Sequence, residues 1–219
     1  LPIHLTILTG ASRGMGLAMA QQLLRPGQQL LCLSRHSHLA LTERAAAQHA
    51  ALEQWEQDLS QTRASAERLR AWLQAQPAGQ FASATLINNA GVIPPIAPPS
   101  SSAPGDLAQA LRVGLEAPLL LCAAFLGATE HWAIPRKVLN ISSGLGRRAM
   151  ASQAAYCAAK AGMDHFTRCL ALDEALKPHG AKVCSLAPGV IDTAMQVQLR
   201  SADAANFPDA PQFAQLKTA

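Results

Sequence analysis

Short apolar runs alternate with longer amphipathic stretches along the whole chain. The apolar runs predict strands at residues 3–8, 29–33, 84–88, 137–141 and 182–186, with a more polar candidate at 51–57. The amphipathic stretches predict helices at 14–25, 39–49, from a Ser60 or Thr62 cap to about 76, 106–130 with an interruption near Pro118, 153–177 and briefly from Thr193. This alternation is typical of a parallel sheet with helices on both faces.

The size of the chain suits one domain. With 219 residues, of which 49% are hydrophobic, we predict a single α/β domain over residues 1–219, a three-layer Rossmann fold around a doubly wound parallel sheet. Segments 92–105, 144–153 and 193–219 would surround a substrate at the carboxyl ends of the strands. Because such a domain ordinarily has a closing helix and strand after Ala219, we expect the native protein to continue there.

A glycine-rich turn follows the first predicted strand. Residues 9–16 read Thr-Gly-Ala-Ser-Arg-Gly-Met-Gly and run directly into a predicted helix. Glycines let the backbone turn sharply, and a helix start presents unpaired N–H groups with a partial positive charge. The spacing G-x-x-x-G-x-G therefore predicts a phosphate-diester site. A turn without a ligand is the alternative interpretation.

Charge and composition exclude several function classes. The net charge of +4 comes from scattered Lys and Arg without a basic block, which argues against nucleic acid and suits a small anionic ligand. No apolar run reaches the roughly 18 residues of a membrane span, and no secretory signal is present. The five cysteines form no C-x-x-C pair, which favours reduced, mostly buried thiols in a cytoplasmic protein. The histidines lack metal-ligand spacing, so we predict no metal.

Tyr156 and Lys160 lie four residues apart in predicted helix 153–177 and therefore share a face. A nearby ammonium favours the phenolate and should lower the pKa of the tyrosine from about 10. Such a phenol can give a proton to a carbonyl oxygen while hydride reaches the carbon. An aromatic residue beside an exposed lysine on an amphipathic helix is the alternative. Asp164 and His165, further along, are interpreted as packing or surface residues off this face.

Small and hydrogen-bonding residues follow three central strands. They are residues 88–91, Ser143 after the fifth strand, and residues 188–193. The carboxyl ends of central parallel strands face the ligand crevice. Ser143 would therefore hydrogen-bond a developing alkoxide or hold a substrate carbonyl against Tyr156.

Together these segments resemble the short-chain dehydrogenase/reductase family. The matching pieces are residues 9–16, 88–91, Ser143, Tyr156, Lys160 and 188–193, which span almost the whole chain in the order of the family. Within the family the chain is most similar to the branch of sepiapterin reductases and benzil reductases. That narrower match comes from Ser34-Arg35, residues 192–196, Arg200 and Leu216-Lys217.

The end of the second strand points to the phosphorylated cofactor. It reads Ser34-Arg35-His36, without the acid that holds a ribose 2′-OH in NAD sites. Arg35, helped by Arg13, can form forked, charge-assisted contacts to a 2′-phosphate, so we predict NADP(H); two solvated arginines are the alternative. The resemblance implies that the cofactor contacts are Gly10, Ser12, Arg13, Gly14, Met15, Gly16, Ser34, Arg35, Asp58, Leu59, Asn89, Ala90, Gly91, Tyr156, Lys160, Pro188, Gly189, Val190 and Thr193.

One position departs from the family pattern. Many members have an asparagine before strand five that forms a tetrad with Ser, Tyr and Lys, and this chain has Gly114 there. In an α-helix the N–H of residue 118 would bond the carbonyl of residue 114, but Pro118 has no N–H. We expect the released Gly114 carbonyl to hold a water that relays protons to Lys160, as the main-chain carbonyl does in relatives.

The resemblance implies an NADPH-dependent carbonyl reductase that converts a ketone or dicarbonyl to an alcohol. Ser143 would position the carbonyl oxygen, Tyr156 would donate the proton, and Lys160 would tune Tyr156 and hold the ribose. An apolar pocket suits an uncharged aromatic or dicarbonyl substrate. Its expected residues are Ile93, Pro94, Pro95, Ile96, Leu145, Met150 and Met195.

Two other functions fit parts of the pattern. A 3-oxoacyl-thioester reductase would need a basic patch for an acidic carrier protein, for which Arg147-Arg148 and Arg136-Lys137 are candidates. A non-catalytic NADP-binding sensor is supported by Gly114 alone. The long helices 106–130 and 153–177 resemble the pair that forms subunit contacts in relatives, so a homodimer or homotetramer is expected.

Overall fold

The computed structural model describes residues 2–77, 79–202 and 207–215. Six parallel strands form one sheet in the order β3-β2-β1-β4-β5-β6, which confirms the predicted α/β, doubly wound fold. The strands are β1 (Ile3–Thr9), β2 (Gln28–Ser34), β3 (Ala51–Glu56), β4 (Phe81–Asn88), β5 (Arg136–Ile141) and β6 (Lys182–Leu186). The helices are α1 (Gly14–Leu23), α2 (Leu39–Ala47), α3 (Thr62–Gln74), α4 (Pro104–Leu111), α5 (Ala117–Ala128), α6 (Ala154–Ala175), α7 (Ala194–Arg200) and α8 (Ala210–Gln215).

Strand β1 is the centre of the sheet. It pairs with β2 on one side and with β4 on the other, so that Leu8 lies opposite both Cys32 and Ile87. The strand order changes direction at this point, and the chains leaving β1 and β4 diverge to opposite faces. A crevice therefore opens at the carboxyl ends of these two strands.

Two apolar layers enclose the sheet. Leu5 and Ile7 of β1 face a cluster with α3 and α5, whereas Leu8 faces a second cluster with α1 and α2. Because both faces are covered, the central strand is an almost continuous apolar run. Of the five cysteines, only Cys32 and Cys122 are buried, so the expectation of mostly buried thiols holds for two of them.

Element ends differ from the prediction by a few residues, and one cap is wrong. The residue before α3 is Gln61, and no side chain caps this helix. Thr62 instead donates its hydroxyl to Glu116 Oε1 at 2.9 Å, and the Ser60 N–H bonds to Asp58 Oδ1 at 2.9 Å. A long-range partner has therefore replaced the predicted cap at Thr62, and Ser60 engages Asp58, two residues earlier, through its backbone N–H.

The predicted helix 106–130 begins earlier and is interrupted earlier. It starts at Pro104, and residues Arg112–Glu116 form a π-helical turn between α4 and α5. The Ala117 N–H bonds to the Arg112 carbonyl, five residues back. Because Pro118 cannot donate to a carbonyl, the ladder widens in the turn before the proline rather than at it.

Within the described residues, one helical stretch, Pro104–Ala128, meets a length and apolarity criterion for crossing a membrane. The sequence analysis had found no run of this kind. In the structure 56% of its most apolar window is buried inside the protein. Several of its apolar residues, Leu121 and Phe125 among them, belong to the core cluster shared with α3, which accounts for much of its hydrophobicity.

Candidate active site

A cleft of about 430 Å³ lies at the carboxyl ends of the strands, in the crevice beside β1 and β4. It is lined by all predicted site residues except one: Gly10, Ser12, Arg13, Gly14, Met15, Gly16, Ser34, Arg35, Asp58, Leu59, Asn89, Ala90, Gly91, Ser143, Tyr156, Lys160, Pro188, Gly189 and Thr193. The exception is Val190, which is 55% exposed and does not line the cleft. Gly189 turns the chain at φ +82°, and Ile191 lines the cleft instead.

The glycine turn is held closely between two strands. A Cβ on Gly16 would collide with the Gly10 carbonyl oxygen, so this position accepts only glycine without rearrangement. Thr9 Oγ1 accepts hydrogen bonds from the N–H groups of Asn89 at 2.9 Å and Ala90 at 3.0 Å. The turn after β1 and the segment after β4 are thereby fixed to each other.

Helix α1 presents its start to the cleft without a competing anion. Its N-cap residue, Arg13, makes no side-chain cap, and the first turn contains no acid. A helix start of this kind binds phosphate through its N–H groups and its dipole. The backbone cradle and the uncapped helix fit the diphosphate of a nicotinamide dinucleotide.

The far end of the cleft carries the two predicted arginines. Arg13 and Arg35 are exposed and line the cleft, and neither forms an ion pair with a carboxylate in the described parts of the chain. Ser34 has a structural role that the sequence did not indicate. Its buried hydroxyl accepts the Ala11 N–H at 2.8 Å and fixes the glycine turn to β2.

Ser143, Tyr156 and Lys160 meet on one wall of the cleft. Lys160 is only 4% exposed, and its Nζ donates to the Ile141 carbonyl at 2.7 Å. The same Nζ lies 5.8 Å from the centroid of the Tyr156 ring. Tyr156 hydrogen-bonds Ser143, which β5 delivers to this wall. The two helical residues come from consecutive turns of α6, as their spacing predicts.

The ionisation of this wall corrects one expectation. Burial raises the pKa of Tyr156 above its usual value, although its hydrogen bond with Ser143 opposes the rise. The prediction that Lys160 lowers the tyrosine pKa is therefore wrong for this structure, because desolvation dominates. Burial also lowers the pKa of Lys160 to about 8, against the opposing charge of Asp164.

A buried amide network supports the wall from below. Asn88 Nδ2 donates to Asn140 Oδ1 at 2.8 Å, and Asn140 Nδ2 donates to Thr167 Oγ1 at 2.9 Å. These bonds join β4, β5 and α6 within the core. Neither Asn140 nor Thr167 was given this role from the sequence. Asn140 carries a signal, a polar side chain in the apolar end of β5, whereas Thr167 lies in a helix of mixed composition and carries none.

Gly114 packs directly against the helix that carries the lysine. A Cβ added at Gly114 would lie 3.0 Å from the Cβ of Ala159, the residue before Lys160. The π-helical turn thus lies so close to α6 that an added side chain would require Ala159 to move by a few tenths of an ångström. The water relay through the Gly114 carbonyl stays a prediction.

Asp164 was misplaced by the sequence analysis. It is 7% exposed and lies one turn after Lys160, on the face shared by Tyr156 and Lys160. The four-residue spacing from Lys160 was the available signal. Arg147, a candidate for the basic patch of a carrier-protein site, places its Nε 3.5 Å from Asp164 Oδ2.

A separate apolar cluster covers the other end of the cleft. It joins the predicted segments 92–105 and 144–153 to the α7–α8 region through Ile93, Ile96, Met150, Ala202, Leu199, Phe207, Ala210 and Phe213. Gln198 Nε2 donates to the Pro94 carbonyl at 3.2 Å. Met195 Sδ lies 4.0 Å from the Tyr156 hydroxyl. We call this cluster with α7 and α8 the lid.

Some cleft residues were not predicted. Gln109 and Val113 line the cleft, and only their nearness to predicted loops hinted at this, whereas Gln196 and Gln198 belong to the predicted segment 193–219. Of the positions that indicated the sepiapterin and benzil reductase branch, Asp192 and Arg200 form an ion pair of 2.7 Å. Leu216 and Lys217 lie outside the described residues, as does part of the predicted segment 193–219.

Comparison with known proteins agrees with this architecture. The sequence profile of short chain dehydrogenases matches residues 4–204. A benzil reductase ((S)-benzoin forming) of Bacillus cereus is 32% identical over 211 residues, covering 96% of this chain and 85% of the relative. A sepiapterin reductase of Xenopus laevis is 33% identical over 201 residues, covering 87% and 74% of the two chains.

A solved structure shows the same fold. The crystal structure of a metagenomic short-chain oxidoreductase in complex with NADP is 30% identical, with a TM-score of 0.76 over 87% of this chain and 84% of that chain. The resemblance inferred from the sequence is thus confirmed. The chain belongs to the short-chain dehydrogenase/reductase family, whose members are NAD(P)-dependent oxidoreductases.

Proposed function

We propose that this protein is an NADPH-dependent carbonyl reductase that converts a ketone or dicarbonyl to an alcohol. The observation that carries the proposal is the convergence of Ser143, Tyr156 and Lys160 on one wall of the cleft that also contains the glycine turn. The chain supplies a proton donor and an oxygen-binding hydroxyl there, and bound NADPH supplies the hydride.

Tyr156 acts as the general acid. Its raised pKa keeps the phenol protonated at neutral pH, which is the form that can donate to the substrate oxygen. Ser143 hydrogen-bonds the same oxygen and stabilises the negative charge that develops there. Lys160 is held by the Ile141 carbonyl and stabilises the phenolate that remains after proton transfer.

The preference for NADPH rests on charge at the end of β2. Arg35 and Arg13 offer guanidinium groups without carboxylate partners in the described parts of the chain, and Ser34 stands where an NAD site has an acid. A structural relative that contains NADP supports this preference.

The substrate we propose is uncharged, with an apolar body and a second polar group. Ile93 of the lid cluster and Met195 of α7 line the cleft, and these apolar side chains suit an aromatic or aliphatic body. Gln196 Oε1 is buried without a hydrogen-bond partner among the described residues, so a substrate N–H or O–H would satisfy it. The benzil reductase and sepiapterin reductase relatives support a dicarbonyl or hydroxyketone of this kind.

The carrier-protein alternative loses its basic patch. Arg136 is 3% exposed and pairs with Glu174 in the core, and Arg147 pairs with Asp164. An acidic carrier would meet Lys137, Arg148 and an Arg147 whose exposed side chain is already paired with Asp164, and it would not reach Arg136. The sensor alternative keeps Gly114 as its support, although the packing of Gly114 on Ala159 leaves Tyr156 and Lys160 in place.

Compartment and assembly complete the proposal. Five cysteines without a disulfide suit a reducing cytoplasm. Exposed leucines along α4, α5 and α6 suit a helix-mediated homodimer or homotetramer; they are Leu111 on α4, Leu119 on α5, Leu172 on α6 and Leu176 directly after α6. Light scattering coupled to size exclusion measures this assembly directly.

A substrate panel tests the activity. We expect purified protein to oxidise NADPH, seen as loss of its absorbance, with aromatic diketones and hydroxyketones and not with acyl-carrier thioesters. Tyr156→Phe should lower kcat by at least about 10³-fold while NADPH binding persists, because only the donated proton is lost. Turnover in Tyr156→Phe equal to that of the unaltered protein, or tight NADPH binding without turnover across the panel, contradicts the proposal.

A further inference from the structure

Asp164 is a buried acid whose one ion pair within the described residues is with Arg147. Its side chain is almost completely shielded, and neither carboxylate oxygen has a hydrogen-bond partner among the described residues. The ion pair with Arg147 measures 3.5 Å, and the Arg147 side chain is 69% exposed. A buried carboxylate without hydrogen bonds is costly, so its retention at this position calls for a role.

The acid also touches the turn that carries Ser143. A Cβ on Gly146 would lie 3.0 Å from Asp164 Oδ2 and 3.0 Å from the Lys160 carbonyl oxygen, so the turn packs closely on this part of α6. The Gly146 N–H bonds back to the Ser143 carbonyl at 3.0 Å. Ser143 Oγ in turn accepts the Leu145 N–H at 3.2 Å. Displacement of Asp164 would therefore displace the turn that orients the Ser143 hydroxyl.

We propose that Asp164 is a positioning residue: with Arg147 as its counter-ion, it joins the turn that bears Ser143 to the helix that bears Tyr156 and Lys160. The catalytic importance of this role rests on the proposed function. The effect of the Asp164 charge on Lys160, one helical turn away, does not, and it can be measured in a protein without turnover. Because the Arg147 side chain is mostly exposed, dissolved salt can screen its charge, whereas Asp164 is buried.

The groups around the Lys160 ammonium determine the sign of the effect. Asp164 and Tyr156 face it from α6, the uncharged Ile141 carbonyl binds it from β5, and Arg147 approaches Asp164 from the Ser143 turn. Loss of the Asp164 charge leaves the burial of Lys160 unopposed and lowers its pKa. Loss of the Arg147 charge leaves Asp164 less neutralised and raises the pKa of Lys160.

The single tyrosine of this chain makes these shifts measurable without substrate. A ¹³C label on the ring carbon that bears the hydroxyl gives one resonance, from Tyr156, whose shift responds to the loss of the nearby Lys160 charge. We expect an inflection near the pKa of about 8. It should move down by about one pH unit in Asp164→Asn and up by a smaller amount in Arg147→Gln, since Arg147 is mostly exposed.

Arg148→Gln is the matched control. Arg148 is the exposed neighbour of Arg147 and has no carboxylate partner within the described residues. Its substitution removes the same charge from the same segment and should leave the inflection in place. Equal shifts in Arg147→Gln and Arg148→Gln, or an unmoved inflection in Asp164→Asn, would overturn the proposal.

Kinetics then separates this inference from the proposed function. With a carbonyl substrate found in the panel, the pH dependence of kcat should shift in the same directions as the resonance. A resonance that shifts as expected in a protein without turnover refutes the reductase and retains the role of Asp164. Turnover in a protein whose resonance does not shift retains the reductase and refutes the role of Asp164. If Asp164→Asn does not fold, Arg147→Gln still tests the proposal, because substitution of an exposed side chain should leave the fold intact. An upward shift of its inflection supports the proposal and an unmoved inflection overturns it.

Discussion

The two ends of the cleft are formed by different groups, backbone at one end and side chains at the other. The cofactor end consists of main chain: a glycine turn between β1 and α1, fixed by Thr9 to the segment after β4. The lid end consists of apolar side chains from three segments that are far apart in sequence, gathered around Phe207 and Phe213. A backbone cradle tolerates almost no added atom, whereas an apolar lid can exchange side chains of similar volume.

The contrast has a functional consequence. A cofactor common to a whole family requires one geometry, which backbone groups supply whatever the side chains are. A substrate differs from one member to the next, and side chains of the lid are the part that can change. The α6 wall with Tyr156 and Lys160 lies between the two ends and serves both.

The largest effect should come from an added methyl in the cradle. Gly16→Ala places a Cβ against the Gly10 carbonyl oxygen, and a backbone atom cannot move aside as a side chain can. We expect NADPH affinity to fall at least about 100-fold, with a stability loss of about 1–3 kcal/mol. Calorimetric titration and thermal unfolding measure the two quantities.

Gly127→Ala is the control for this substitution. Gly127 lies in α5, and its added Cβ would meet nothing within 4 Å. Alanine there should keep affinity and slightly raise stability, because it favours the helix. If Gly16→Ala binds NADPH as Gly127→Ala does, the cradle is not the rigid end of the cleft.

An intermediate effect should come from the charged rim of the cofactor end. Arg35→Ala removes a guanidinium that offers charge-assisted hydrogen bonds to a 2′-phosphate. We expect the KM for NADPH to rise about 10- to 100-fold, from a loss of about 1.5–3 kcal/mol. The KM for NADH should change little, because NADH lacks that phosphate.

Arg25→Ala provides the same change of charge at the opposite end of α1. It should leave the KM for NADPH and the KM for NADH unchanged. Equal losses for NADPH and NADH in Arg35→Ala would show that Arg35 does not read the 2′-phosphate.

The difference between the two ends also explains what the sequence could predict. Local order is visible in a motif, so residues 9–16 and the Tyr156–Lys160 spacing pointed to residues that line the cleft, while their roles there stay predictions. The role of Ser34 as a cofactor contact stays a prediction, and its hydroxyl also accepts the Ala11 N–H, which the sequence did not indicate. A role of that kind depends on a partner 23 residues away and leaves no local pattern.

Burial was the main quantity beyond reach. The pKa of Tyr156 was expected to fall because its neighbour Lys160 is visible in the sequence, whereas the desolvation that raises it is a property of the assembled wall. Asp164 shows the same limitation in reverse. Its helical spacing was available, and only its packing against Gly146 and Arg147 shows that the spacing matters.

The smallest of the three effects should come from the lid. Phe207 is fully buried and stacks on Phe213 with ring centroids 5.7 Å apart, inside a cluster separate from the two layers of the sheet. Phe207→Ala removes about 3–5 kcal/mol of packing from this cluster. Because the cluster is separate from the sheet core, we expect the loss to disorder the lid locally and to raise the KM for an aromatic ketone several-fold. The KM for NADPH and the unfolding temperature should change little.

Phe81→Ala separates the lid from the core. Phe81 is buried in the main cluster against Trp132, so its truncation should lower the unfolding temperature by several degrees without selective loss of the aromatic substrate. Steady-state kinetics and calorimetric unfolding of the two variants give opposite patterns if the lid is an independent unit. A similar fall in unfolding temperature for both variants would mean that lid and core unfold together. The two ends of the cleft would then differ in their chemical composition and not in their stability.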